Sequence, residues 1–469
     1  MQKRWVFFWL FILICSSLFL LESSDFSLTD NTTSTPIKAS ENTSSFEDTL
    51  FISMINSTSG TSGQAITIDD NNNVYGLGTR YYSTMSEDWD FLLVKWDVKG
   101  KLLWNHTFQE PDHKNSGEGI TLGENNTIIT VGSTLYDSSK FCPLIVKWDP
   151  DGNVLWSTTL KTYTMAARGV DIDVSGNIYV VGDIKVSGTD EEHRDLIILK
   201  LDNTGEVLWS KTWEGSSKDD FGMDISTDNQ SNVYALGEYD GGMGLSKWDS
   251  EGNFIWGKIW RGENSALGSA LVLGNDGFIY TTGGYDPPGV NPPTLLLVKW
   301  DSSGNVLWYR TNSDVFWGAA ISVKANDTIY TVGYTYSATN FTKLIPLAGK
   351  VVLEKWDSSG NHIGVQTWLL APKGGDGATL SGVAVGNNNK IYCVGTFYNS
   401  SDDTLRQWES LILVIFSDEN FRSVEINQVV IGVPFEVSVM LFPLLVFFFR
   451  RKVNKKNTRI LLFKNNDQK

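Results

Sequence analysis

Along most of the chain, apolar and polar positions follow two alternating phrases. One is an apolar run that ends in Lys-Trp-Asp, turns at a glycine and returns through a short limb to a second Trp. Its first copy is Leu92-Leu93-Val94-Lys95-Trp96-Asp97, Gly100 and Leu102-Leu103-Trp104. It returns from Lys147 to Trp156, from Lys200 to Trp209 with Leu201 in place of the first Trp, from Lys247 to Trp256 and Lys299 to Trp308, and at Lys355-Trp356-Asp357, where Gly364 replaces the second Trp. A worn seventh copy is Leu413-Val414-Ile415-Phe416, with Ser417 where Asp stands elsewhere. The first limb is apolar on both faces, the pattern of a strand covered on both sides. Asp and Gly supply the tight turn. Lys95 is expected to lay its methylenes along a neighbour and put its ammonium in water.

The second phrase reads Gly169-Val170-Asp171-Ile172-Asp173, a turn at Ser175-Gly176-Asn177, then Ile178-Tyr179-Val180-Val181-Gly182. Its relatives end at Gly78, Gly132, Gly237, Gly283, Gly333 and Gly395. Seven such hairpins alternate with seven Trp hairpins, and the turn Asp recurs roughly every 50 residues, the period of a four-stranded propeller blade. The expected fold is all-β: a seven-bladed β-propeller of four-stranded blades over residues 48–428. Residues 49–55 precede the first Gly hairpin where a Trp-type limb would stand. They read as an outer strand that completes the last blade and closes the ring; residues 421–427 compete for that place.

The paired phrases, G-[IV]-x-[IV]-D-x-x-G-N-[IV]-Y-V-x-G followed by K-W-D-x-x-G-x-x-x-W, resemble SBBP-type β-propeller repeats, which occur in exported bacterial and archaeal proteins. The resemblance covers nearly the whole body. It implies fold and export, and it brings no catalytic residues, because structural positions define that repeat.

Residues 1–21 begin Met-Gln-Lys-Arg and continue as an apolar run broken only by Ser16 and Ser17. They read as a signal peptide or signal anchor. Residues 22–47 form a Ser/Thr-rich linker. Residues 429–449 are predicted to be a transmembrane anchor and 450–469 a basic cytoplasmic tail, which would put the propeller outside the cell membrane. The net charge is −16, yet the stretch after Phe449 holds eight basic residues and only Asp467. The body is therefore strongly acidic, which argues against a nucleic-acid partner.

Catalytic signals are sparse. His106, His113, His193 and His362 fall in separate repeats, and neither zinc spacing nor a nucleophile motif is present. Asp-Gly-Asn turns lack the twelve-residue loop of an EF-hand. The Trp residues do not match the spacing of quinoprotein docking motifs or sialidase Asp boxes. No cofactor or metal is expected. Cys142 and Cys393 lie in repeats that are not neighbours, so no disulfide is expected. Nine N-x-S/T sites, at Asn31, Asn42, Asn56, Asn105, Asn125, Asn229, Asn326, Asn340 and Asn399, mark a candidate glycoprotein.

Topology indicates where binding would reside. Turns within hairpins lie on one face of the disc, and the connections between hairpins lie on the other. Those connections, 79–90, 133–141, 183–194, 284–294, 334–349 and 396–407, are long and varied, as binding loops are. Trp89, Tyr285 and Tyr336 stand in three of them and are the candidate binding residues. The expectation is a non-catalytic surface module for an extracellular protein or glycan ligand. The alternative is an extracellular glycan-cleaving hydrolase or lyase, which convergent acids in the central funnel would favour.

Overall fold

The computed structural model describes residues 34–38, 50–55, 60–82, 89–110, 113–137, 140–186, 193–213, 219–289, 293–335, 350–368, 377–399, 408–418, 421 and 424–426. In blades I to VI the Gly phrase and the Trp phrase fold as hairpins, and the two hairpins pair into one antiparallel sheet. In blade I the strands are Thr61–Ile68, Val74–Tyr81, Trp89–Trp96 and Leu102–Phe108, from innermost to outermost. The innermost strands of blades II to VI are Lys114–Leu122, Met165–Ile172, Phe221–Thr227, Ala266–Leu273 and Trp317–Val323. Blade VII contributes Gly377–Val385, Lys390–Asn399 and Trp408–Ser417. Successive innermost strands touch, and that of blade VII touches that of blade I, so seven blades close a ring. Among the described residues the only helix is one 3-10 turn, Glu124–Asn126.

The ring closes as the sequence suggests. Leu50–Ile55 pairs antiparallel with Trp408–Ser417 and is the fourth strand of blade VII. The competing segment goes elsewhere: Val424–Ile426 pairs parallel with His362–Trp368 as a fifth strand on blade VI. Ser34–Lys38, inside the expected linker, adds a fifth strand to blade VII. Strands also run further into the predicted connections than expected. Tyr81 pairs with Trp89, and Asp137 with Lys140. The connection expected at 133–141 is thus mostly strand, with Ser133, Thr134 and Leu135 laddered to Pro143, Cys142 and Phe141.

The repeated Lys, Trp, Asp, Gly and Tyr form one device. The third-strand Lys turns into the gap between blades. Lys200 Nζ lies 5.1 Å from the ring centre of Tyr179 in its own blade and donates to the Ser250 carbonyl of the next blade at 2.8 Å. Lys95 does the same with Tyr75 and Pro150, and Lys299 with Tyr280 and Ser358. The outer-strand Trp spans the same gap: Trp209 meets the Tyr179 edge and donates Nε1–H to the Ser250 carbonyl at 3.2 Å. Its ring lies where a Cβ on Gly252 would stand, about 3.1 Å away, and Gly252 itself is at φ +79°. Glycine is required there twice, for the left-handed turn and for the indole. The third-strand Trp is different. Trp148 and Trp300 are buried, and their indole N–H groups donate to Thr130 and Thr281 at 2.9 Å, as a buried indole requires.

Blade VII keeps the device with different parts. Asp418, one place after Ser417, accepts from Lys324, Lys355 and the Tyr330 hydroxyl of blade VI. Ile415 stands in the Lys position, and Lys390 from the second strand reaches the Val98 carbonyl of blade I at 3.3 Å.

Cys142 and Cys393 are buried, in blades II and VII. The expected leader, transmembrane anchor and tail lie outside the described residues. Among the described residues no helix is long and apolar enough to cross a membrane.

Trp209→Ala should lower stability by about 2–3 kcal/mol, as large-to-small changes at packed aromatics do, and Lys200→Met by about 1 kcal/mol through the lost cation–π contact and hydrogen bond. Because both groups act on one turn, denaturant unfolding of the double variant should show coupling of at least about 0.5 kcal/mol. Strict additivity would show that they do not form one device.

Candidate ligand face and central channel

The connection ends of the strands lie on one face of the disc, and there blades I and II carry a rim of aromatic and cationic side chains. Trp89 begins the third strand of blade I, meets Tyr81 edge-on at 6.1 Å and has Lys114 Nζ 5.5 Å from its ring centre. Arg80 lies over the Tyr82 ring at 5.4 Å, and Tyr82 is 38 % exposed. His113 packs tilted against Tyr136 at 4.8 Å, with Lys161 over the same ring at 4.4 Å. These residues come from the ends of neighbouring strands, which the propeller topology brings to one edge.

Tyr285 is placed differently. Its ring packs edge-on against Trp260 at 5.2 Å, and its hydroxyl accepts the Glu263 backbone N–H at 3.2 Å. Packing against the outermost strand of blade IV, Phe254–Trp260, thus occupies much of it. Tyr336 lies outside the described residues. The histidines stay apart: His106 packs tilted against Trp104, His362 meets Trp356 edge-on, and His193 lies 3.7 Å from Asp195.

Deeper in, the innermost strands share a feature absent from the sequence reading. The ladder of every innermost strand slips once at the same place, as between Gly117 and Gly119 or Ala167 and Gly169. The residue in the slip is Gln64, Glu118, Arg168 or Met223 in blades I to IV and Ser269, Ala319 or Ser381 in blades V to VII, each half-buried. A bulge bends its strand and re-aims the extra side chain. The flanking glycines permit close approach of the strands: a Cβ on Gly117 would meet the Gly78 carbonyl oxygen at 2.7 Å. The ring is lopsided, with bulky and charged residues on one side and small ones on the other.

The charged side is a network. Arg168 donates to Asp183 and, at 3.3 Å, to the Gly222 carbonyl of blade IV. Asp183 also accepts from Arg194. Burial lowers the Arg168 guanidinium to about 10, against the opposing charge of Glu118. Burial raises the Glu118 carboxyl, while Arg168 and the Ser116 hydroxyl pull it back. Two further acids tie blades together. Asp171 accepts from Thr227 N–H at 2.7 Å, Thr227 Oγ1 at 3.0 Å and Thr121 Oγ1 at 3.4 Å. Asp224 accepts Leu271 N–H at 2.7 Å and Ile225 N–H at 2.9 Å. They stand in for the backbone ladder that is missing between innermost strands. Burial raises both carboxyls, Asp224 to about 7.

At the mouth, Asp220 is fully buried and accepts Asp240 N–H at 2.7 Å. Burial, with the charges of Asp195, Asp240 and Asp219, raises it to about 6. Among the described residues no three His, Cys, Asp or Glu side chains are grouped to hold a metal ion. Glu118 was legible only as the residue set between two small ones at the head of the Gly phrase, Gly117-Glu118-Gly119.

No protein-family model matches the chain, and no curated protein does. Solved propellers do. The chain is similar to the Pan2 WD40 domain of Neurospora crassa at 11 % identity and TM-score 0.48, over 78 % of this chain and 91 % of that one. A Lactobacillus plantarum protein gives 12 % and 0.45 over 72 % and 97 %. The Xanthomonas campestris gluconolactonase XC5397 gives 12 % and 0.35 over 65 % and 90 %. At such values the seven-bladed architecture rests on this chain's own sheets, and nothing about ligands follows.

Asp224 has a folded pKa raised from 3.8 to about 7. Its contribution to stability is therefore complete below about pH 4 and lost as pH rises through about 7. Asp224→Asn removes that titration. The melting temperature of the variant minus that of the parent should increase from pH 5 to pH 8. A difference that stays flat would show that Asp224 does not titrate there.

Proposed function

We propose that this protein is an exported, membrane-tethered propeller that binds a glycan or protein ligand at the connection face and performs no chemistry on it. The observation that carries this is the division of labour between channel and rim. The channel acids Asp171 and Asp224 accept hydrogen bonds from Thr227 and Leu271 of the next blade, and the opposing charge of Arg168 bears on Glu118. The rim instead presents Trp89, Tyr82 and Tyr136 beside cations. Aromatic faces with adjacent charges suit the apolar faces and hydroxyls of sugars, and peptide side chains. The resemblance of the repeats to the SBBP type, the apolar segment 1–21 and the basic end of 429–449 support export and tethering, with the propeller outside. A tethered disc gains from multivalent display even where each site is weak.

The enzyme reading draws on the placement of Glu118 and Asp224 on the innermost strands, where burial raises both carboxyls, the direction in which the acid of glycosidic cleavage is tuned.

The full-length protein should capture members of a glycan and peptide library, and Trp89→Ala with Tyr82→Ala should weaken capture at least about tenfold, as loss of aromatic anchors does. The melting temperature should change little. Tyr285→Ala should instead cost about 1–2 kcal/mol of stability by removing the contact with Trp260. Polysaccharide turnover by the full-length protein that Glu118→Gln abolishes would replace the binding reading with the enzyme one.

A further inference from the structure

Four N-x-S/T sites fall where the side chain is described: Asn105, Asn125, Asn229 and Asn326. Three share one structural position. Asn125-Asn126-Thr127, Asn229-Gln230-Ser231 and Asn326-Asp327-Thr328 each form the turn between the first and second strands of a blade, in blades II, IV and VI. All three Asn side chains are exposed. Backbone bonds close these turns without the Asn amide nitrogen: Gly123 N–H to Thr127 O at 2.8 Å, Ser231 N–H to Asp228 O at 2.8 Å, and Asp327 N–H to Lys324 O at 2.8 Å. Asn326 turns its Oδ1 inward to accept Thr328 N–H at 3.3 Å, so its Nδ2 is the outward end. Asn105 is the contrast. It lies within the outer strand of blade I, paired with Val94, half-buried and already engaged.

We infer that Asn125, Asn229 and Asn326 are N-glycosylated and that Asn105 is not. A lipid-linked phosphoryl oligosaccharide is the donor. The Asn Nδ2–C1 bond forms, the C1–O bond to phosphate breaks, and the lipid phosphate leaves. The transferase takes up the amide proton, and nothing is oxidised or reduced. An acceptor site needs an amide nitrogen and a hydroxyl two residues on, presented on a segment a second protein can grip. A tight exposed turn offers this and a strand inside a ladder does not. These turns surround one mouth of the channel on the face opposite the aromatic rim, so three glycans on alternate blades would crown that face. They would hydrate it and oppose stacking of discs there.

The inference rests on the proposed extracellular placement, and the experiment separates the two. The full-length protein is purified from the cell that makes it, and the mass of each tryptic peptide is read before and after enzymatic deglycosylation. Surface biotinylation of intact cells reports which side the propeller occupies. Glycan mass should appear on the peptides of at least two of the three turn sites, with Asn105 bare. Asn125→Gln, Asn229→Gln and Asn326→Gln should each remove one glycan. Thr127→Ala and Thr328→Ala should do the same with the Asn intact, which guards against a misfolded Gln variant. A propeller labelled from outside that carries glycan at fewer than two of these turns, or at Asn105 in preference to them, overturns this inference and leaves the binding reading standing. A propeller that is not labelled overturns both.

Discussion

The ammonium of the third-strand lysine sits between a tyrosine ring of its own blade and a turn carbonyl of the next, and the rest of the ring depends on that contact. A four-stranded sheet has two apolar faces and no partner within itself. Innermost strands of neighbouring blades touch without sharing a ladder, so something else must hold the blades together. Lys200 does this at Ser250, and Trp209 covers the same turn. The contact is partly dry, which strengthens both the cation–π attraction and the charge-assisted hydrogen bond. Closely related contacts recur from blade to blade, so the ring is held by many modest links. Asp171 and Asp224 add links near the axis, where Thr227 and Leu271 bring donors from the next blade.

Much of this was legible because each link is local in the repeat. Lys95, Trp96, Asp97, Gly100 and Trp104 stand close together in sequence, and their spacing fixes strand, turn and return. The closing strand was legible for the same reason: Leu50–Ile55 lacks a first-strand phrase after which to stand. What was not legible depends on contacts between blades. Nothing local says that the Lys95 ammonium meets Pro150 instead of water. Nothing local sends Val424–Ile426 to blade VI, since three residues carry too little pattern to choose an edge. Glu118 and Arg168 were missed because each is one residue between small neighbours, and a bulge has no hydrophobic period. Trp89 and Tyr285 looked alike as loop aromatics. Only the neighbouring blade elements, Lys114 for one and Trp260 for the other, separate them.

The two faces of the disc follow from the same economy. Hairpin turns are constrained by the inter-blade contact, so Asp, Gly and Asn recur there and little else fits. Hydrogen bonds from Asn153 hold the Asp149 carboxyl below its usual range, as the Thr204 hydroxyl and the Glu206 backbone do for Asp202. Connection ends carry no such duty. They differ in length and chemistry from blade to blade. The uneven channel, with charged bulge residues at blades II and III and small ones at V to VII, follows from letting single bulge residues vary.

The central claim is that contacts between blades, closed by Leu50–Ile55, make the seven sheets one cooperative unit. Native-state hydrogen exchange at increasing denaturant tests it most directly. Third-strand amides such as those of Leu93, Ile198, Leu297 and Leu413 should exchange through a common opening, with free energies that merge within about 1 kcal/mol. Protection that steps down blade by blade from the seam between blades VII and I would contradict the account.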